Sequence, residues 1–90
     1  MLKIYQSSRF KRGLKKLRKR GEDLDALKFV VDELQRGKRL DAKYRDHFLK
    51  GNYLGYRECH VKPDLLLVYR IERDCLILEL FDLGSHSDLF

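Results

Sequence analysis

Ninety residues with 43% hydrophobic content suit one globular domain, although a chain this short buries only about 60% of the surface its unfolded form exposes. Twenty Lys and Arg against fourteen Asp and Glu leave a formal charge of +6, which points to a polyanionic partner: nucleic acid, an acidic protein segment or an anionic surface. The longest apolar run, Leu65–Tyr69, is far too short to span a bilayer, the N-terminus lacks a signal-peptide pattern, and Cys59 and Cys75 read as free thiols of a cytoplasmic protein.

The alternation in Leu2–Gln6 predicts a short opening strand. Ser7 and Ser8 can cap the helix that follows, in which Phe10, Leu14 and Leu17 form one apolar stripe. Lys11, Arg12, Lys15, Lys16, Arg18, Lys19 and Arg20 fill the opposite face, and no acidic residue interrupts Arg9–Gly21. Such a face is either a solvated surface or a binding surface for phosphate or an acidic peptide, with Lys15, Lys16 and Lys19 as candidate contacts. Gly13 costs this helix roughly 1 kcal/mol relative to Ala, and Gly21 ends it. A second helix carries Leu24, Leu27, Val30, Val31 and Leu34 on one stripe, with Asp23 and Asp25 near its positive end and Gly37 as its stop. The short link between the two helices predicts an antiparallel hairpin.

The stretch Lys38–Leu54 has no clean period and reads as a loop, long enough in so small a domain to suggest a function. Three strand signals follow: the alternating Gly55–Val61, the apolar Leu65–Glu72 after a Pro63-Asp64 turn, and Cys75–Asp82 after the polar Glu72–Asp74 turn. The expected order is β-α-α-β-β-β, an α+β fold. The tail Gly84–Phe90 closes on Leu89 and Phe90, and two large apolar residues give it reason to dock instead of fraying.

Histidine is the residue type suited to proton transfer near neutral pH. His47 lies in the long loop, His60 in the first hairpin strand, and His86 in the tail, while Asp64 stands at the turn just beyond His60. Taken singly, each has an ordinary role as a spacer, a turn former or a half-buried strand residue. A zinc site fails on geometry, because Cys59 and His60 are strand neighbours and point to opposite faces. No metal or other cofactor is expected. Glycine-rich phosphate loops and Gly-x-Ser-x-Gly elbows are absent.

Together, "YRDHFLKG", "GYRECHVKPDLLLVY" and "GSHSDLF" resemble the YafQ branch of the RelE-like bacterial toxins, the ribonuclease halves of toxin–antitoxin pairs. The likeness runs along the whole chain as a single domain, 1–90, with specific motifs from Tyr44 onward and agreement of pattern before it. It implies two helices packed on a small, largely antiparallel sheet. It also places catalytic roles on His47, His60, Asp64 and His86, and a role in activity on Phe90, by stacking on a base or by holding the tail. Many relatives carry Arg four residues before the tail histidine, where this chain has Asp82, and some have an aromatic in place of Leu65. An anion at Asp82 would repel phosphate, so Arg57 or Arg70 would have to supply the missing cation, or activity would be weak.

The implied reaction is metal-independent cleavage of mRNA, on the ribosome, by attack of the ribose 2′-hydroxyl. The implied partners are an antitoxin whose segment covers the site and, only through that complex, the operator DNA. A gyrase-directed relative of the same fold would lack the His-Asp-His set. A noncatalytic RNA-binding module or a domain that binds only an acidic protein would keep the basic helix without needing the histidines.

Overall fold

The computed structural model describes residues 1–90. Its opening strand, β1 (Lys3–Gln6), hands directly to α1 (Ser8–Lys19). Ser7 is the cap: its Oγ accepts the Phe10 N–H at 3.1 Å. The same hydroxyl donates to the Phe81 carbonyl, tying the helix start to the last strand. Helix α2 (Asp25–Gln35) begins after an Asp23 side chain that accepts the Asp25 N–H at 2.9 Å.

The segment read as a loop contains ordered structure. One 3₁₀ turn spans Ala42–Tyr44 and another Gly51–Tyr53, and between them β2 (His47–Phe48) pairs with the next strand. Two paired residues generate no detectable period, which is why the sequence pattern missed them. Strands β3 (Arg57–Lys62), β4 (Leu65–Glu72) and β5 (Ile77–Gly84) form the antiparallel centre. The sheet runs β1-β5-β4-β3-β2, with β1 parallel to β5 and every other pair antiparallel. Strand β5 starts two residues later than its composition suggests, because Leu76 adopts a left-handed conformation (φ 54°) that ends the turn.

The main core lies between the helices and one face of the sheet. Phe10 and Leu17 of α1 and Leu27, Val30 and Leu34 of α2 pack with Cys59, Val61, Leu65, Leu67, Tyr69, Leu78, Leu80 and Leu83. Each such side chain contributes about 1.5–3 kcal/mol by leaving water. Strand β5 does not keep a strict two-residue alternation. Tyr69 pairs with Leu80 and Val68 with Asp82, so Phe81 is an extra, bulged residue. The tail forms one short helical turn, α3 (His86–Leu89), closed by a reciprocal cap: Ser85 Oγ accepts the Asp88 N–H, and Asp88 accepts the Ser85 N–H at 3.0 Å.

Candidate active site

The face of the sheet away from α1 and α2 is only partly covered, and strand register orders its residues into three rows. Arg70 stands opposite Glu79, with Tyr56 beneath the Arg70 guanidinium at 4.8 Å. Next to them, Glu58, Val68 and Asp82 lie side by side on β3, β4 and β5. The third row is His60, Leu66 and Gly84. Adjacent strands are about 4.8 Å apart, so His60 and the root of the tail are separated by roughly two strand spacings.

The tail folds back onto this face. Leu89 is buried against Leu66 and Val68, with Phe81, Tyr56 and Leu49 at the margin. Phe90 stays half exposed, 5.6 Å from the Tyr53 ring and 5.4 Å from the His86 ring. The two closing residues therefore divide the work: Leu89 anchors, and Phe90 faces outward beside His86. Aromatic contacts continue from Tyr53 to Phe81 at 6.4 Å and from Phe81 to Tyr56 at 4.7 Å. This gives a stacking surface whose Tyr53, Tyr56 and Phe81 were not singled out from the sequence.

His47 enters from the sheet edge. It is paired with Glu58 in register, and its Nε2 lies 3.5 Å from Glu58 Oε1. Its Nδ1 is 2.6 Å from the Arg45 carbonyl oxygen, which can only accept, so Nδ1 carries the proton and the ring is fixed with Nε2 toward Glu58. Arg45 is left-handed (φ 50°), and that conformation turns its carbonyl toward the imidazole. Glu58 is 6% exposed, a buried carboxylate between His47 and, two residues along the same face, His60. Sequence reasoning passed over Glu58 because it was read only as the polar half of an alternation.

Asp64 is exposed at the β3–β4 turn, at the end of the sheet, where it shares a cleft with Arg20 and Ser85. His47 and His60 lie on the open side of β2 and β3, His86 stands on the docked tail beside Phe90, and Asp64 lies at the end of the sheet. Arg57 does not join them. It lies on the helix-facing side, its Nη2 donating to Asp46 Oδ2 at 2.8 Å and its Nε to Oδ1 at 3.3 Å, with Tyr69 donating to the same carboxylate at 2.5 Å. The Asp46 hydrogen bond more than offsets desolvation and raises the Arg57 pKa, whereas burial first and then Asp46 push the Tyr69 phenol up. Arg70 does face the open side, but Glu72 at 2.7 Å and Glu79 at 2.9 Å both engage its Nη2. Asp82 is 7% exposed and bound to Arg9 at 2.8 Å. On α1, Lys16 lines a cleft between the helix and the tail, while Lys15 and Lys19 are exposed outside it.

No group of three or more His, Cys, Asp or Glu side chains is assembled to hold a metal ion, and no helix is long and apolar enough to cross a membrane.

The family model described as the bacterial toxin of a type II toxin–antitoxin system, YafQ, matches residues 2–90. The mRNA interferase toxin YafQ of Escherichia coli strain K12 is 35% identical over 88 residues, covering 97% of this chain and 94% of that protein. A metal-bound toxin from Helicobacter pylori superposes with a TM-score of 0.93 at 51% identity over the full length of both chains. The toxin of the E. coli DinJ–YafQ complex superposes with a TM-score of 0.89 at 33% identity, covering 100% of this chain and 99% of that one.

Proposed function

This chain belongs to the YafQ family of type II toxin–antitoxin toxins, and we propose that it cleaves mRNA by acid–base catalysis on the open face of its sheet. One observation supports this reading: His47 and His60 flank the buried Glu58 on the same face against which the tail bearing His86 docks through Leu89. A base on the β3 side, His60 or the His47–Glu58 pair, takes the proton of a ribose 2′-hydroxyl. The resulting oxyanion attacks the adjacent phosphorus in line, and the bond to the 5′-oxygen breaks. His86, carried on the tail, donates the proton that the leaving oxygen needs. The products are a 2′,3′-cyclic phosphate and a free 5′-hydroxyl, and DNA, lacking the attacking group, is spared. Asp64 helps to position an imidazole at the end of the sheet, and Phe90 stacks on a base beside the scissile phosphate.

The Helicobacter pylori relative is named as metal-bound. In this chain no three His, Cys, Asp or Glu side chains are grouped to hold an ion, and every step above draws on protein side chains.

The basic face of α1, with Lys15, Lys16 and Lys19, supplies long-range attraction for RNA. The ribosome presents the message. The restraining partner is an antitoxin, as DinJ is for its YafQ, with an acidic segment that covers the site, and operator DNA is reached only through that complex. The test is incubation of purified protein with RNA, with and without ribosomes and with EDTA, beside a His86→Ala control. Cleavage to cyclic phosphate by the wild type alone is expected. Undiminished cleavage by His86→Ala would overturn the assignment.

A further inference from the structure

The reaction just described needs a cation at the phosphate, and the two arginines expected to supply it are occupied elsewhere. Arg57 is on the wrong face of the sheet, and Arg70 has Glu72 and Glu79 on one nitrogen, two anions against its single charge. We infer that Arg9, held in place by Asp82, is the phosphate-binding cation of this site, and that RNA leaves it along the cleft lined by Arg12, Lys16 and Arg20. The inference rests on the nuclease reading above and assigns to that same site its cation and the path of its substrate.

The geometry is specific. Strand β1 covers β5 only as far as Leu80, and beyond it the start of α1 lies against the β5 edge, with the Ser7 N–H on the Leu80 carbonyl at 3.0 Å. That places Arg9, in the first turn of α1, within reach of the open face. Its guanidinium lies 5.2 Å from the centre of the Phe81 ring, a member of the aromatic surface that ends at Phe90 and His86. Asp82 takes one edge of the guanidinium at 2.8 Å and uses its other oxygen to accept the Leu83 N–H at 2.9 Å. The Asp82 side chain is 10% exposed and the Arg9 side chain 44% exposed, so the surface presents the cation and hides the anion. A guanidinium has five N–H donors, more than Asp82 and Tyr53 together engage, which leaves donors for a phosphate oxygen.

A cation in the first turn of a helix opposes the helix dipole, and Asp82 offsets that conflict while fixing the side chain. Burial works against the Arg9 charge, but Asp82 and Tyr53 outweigh it and its pKa is raised. The cleft beyond Arg9 runs between α1 and the tail. Arg12, Lys16 and Arg20 stand along one side, and Gly84 and Asp88, on either side of His86 in sequence, line the other. Steps of three and four residues place successive cations about 4.5–6 Å apart along the helix. A flexible strand of phosphates can follow that spacing.

The test measures single-turnover cleavage of a single-stranded RNA by wild type, Arg9→Ala, Arg9→Lys, Asp82→Ala and the double variant Arg9→Ala/Asp82→Arg. Binding of uncleavable 2′-O-methyl RNA and of polyglutamate is measured beside it. Arg9→Ala is expected to lower kcat about a hundredfold and Arg9→Lys less. Asp82→Ala should act in the same direction, with no added loss when Arg9 is already absent. The double variant, which moves the cation onto β5, should recover activity over Arg9→Ala. Arg9→Ala and Lys16→Ala should each reduce the salt slope of RNA binding by about 1. Wild-type protein that leaves RNA intact would overturn the nuclease reading and this assignment with it. Cleavage by the wild type with Arg9→Ala equally fast would overturn this assignment alone. Tighter binding of polyglutamate than of RNA, lost in the Lys16 variant, would overturn the RNA path. Should the Asp82 variants fail to fold, Arg9 lies at the surface and its two substitutions still decide.

Discussion

A Cβ built on Gly13 would stand 2.2 Å from the Leu83 carbonyl oxygen, so α1 lies against β5 with no room for a side chain between them. Read from the sequence, Gly13 was only a weak point in a helix. Gly13→Ala gains roughly 1 kcal/mol of helix propensity but meets backbone, and overpacking of that kind typically costs about 1–3 kcal/mol. The expected net result is destabilisation, seen as a fall of several degrees in Tm by thermal denaturation. A rise in Tm would mean that the helix shifts outward freely.

Leu89 and Phe90 should separate on substitution. Leu89→Ala removes the buried anchor of the tail and should cost about 2 kcal/mol, near the low end for a core leucine because its cluster is small. Amide exchange in α3 should then accelerate. Phe90→Ala, at a half-exposed position, should change stability by less than about 0.5 kcal/mol while lowering RNA cleavage. Equal loss of stability in both would place Phe90 in the core after all.

Glu58→Gln should preserve packing and remove a buried charge between His47 and His60. Cleavage is expected to fall about a hundredfold, the scale of one general acid–base contribution. Thermal stability should hold or improve, because a buried carboxylate carries a desolvation cost. A variant as active as the wild type would leave Glu58 as a passive partner of His47.

The tail should loosen in acid. Hydrogen bonds from the Ser85 backbone and the Ser85–Asp88 cap hold the Asp88 pKa below its usual value. A lowered folded-state pKa contributes stability that is complete above the ordinary carboxylate range and is lost as pH falls through that range to the lowered value. Protection of the Ser85 amide from exchange should therefore decline below about pH 4, and Asp88→Asn should remove that pH dependence. Protection that is flat across this window would exclude the cap as the cause.

Two thiols should react as two populations. Burial, followed by the nearby Asp46 and Glu58 charges, pushes the Cys59 thiol up to about 12, whereas Cys75 is exposed in the β4–β5 turn. Reaction with a thiol reagent at pH 8 should modify one cysteine per folded chain and the second only on unfolding. Rapid modification of both would show that β3 opens readily.

Periodicity sufficed for the helices and the three long strands, since each has enough residues to show which face is buried. The docking of the tail was legible from its two closing apolar residues, of which Leu89 is buried and Phe90 half exposed. Periodicity failed where contacts are set by a single pairing. The two residues of β2 follow from the Glu58 and Arg57 register, Glu58 matters only once His47 is placed beside it, and Arg57 is separated from His60 by the alternation of one strand. The expected conflict between Asp82 and phosphate depended on a lone anion. Its partner, Arg9, lies 73 positions earlier in the chain, and no local pattern could join them.

The extra residue at Phe81 changes the parity of the last strand. Before it, the even-numbered Leu78 and Leu80 enter the core, and after it the odd-numbered Leu83 does. The Phe81 carbonyl meets the Ser7 hydroxyl, so the irregularity is fastened at the start of α1. Everything downstream inherits the new phase: Asp82 and Gly84 face the open side, and the chain departs toward it. Were Phe81 instead paired in regular alternation, it would oppose Val68, and Asp82, Gly84 and the seven-residue ending would turn beneath the helices. The side of the sheet from which His86 departs is therefore set by one residue left out of the pairing.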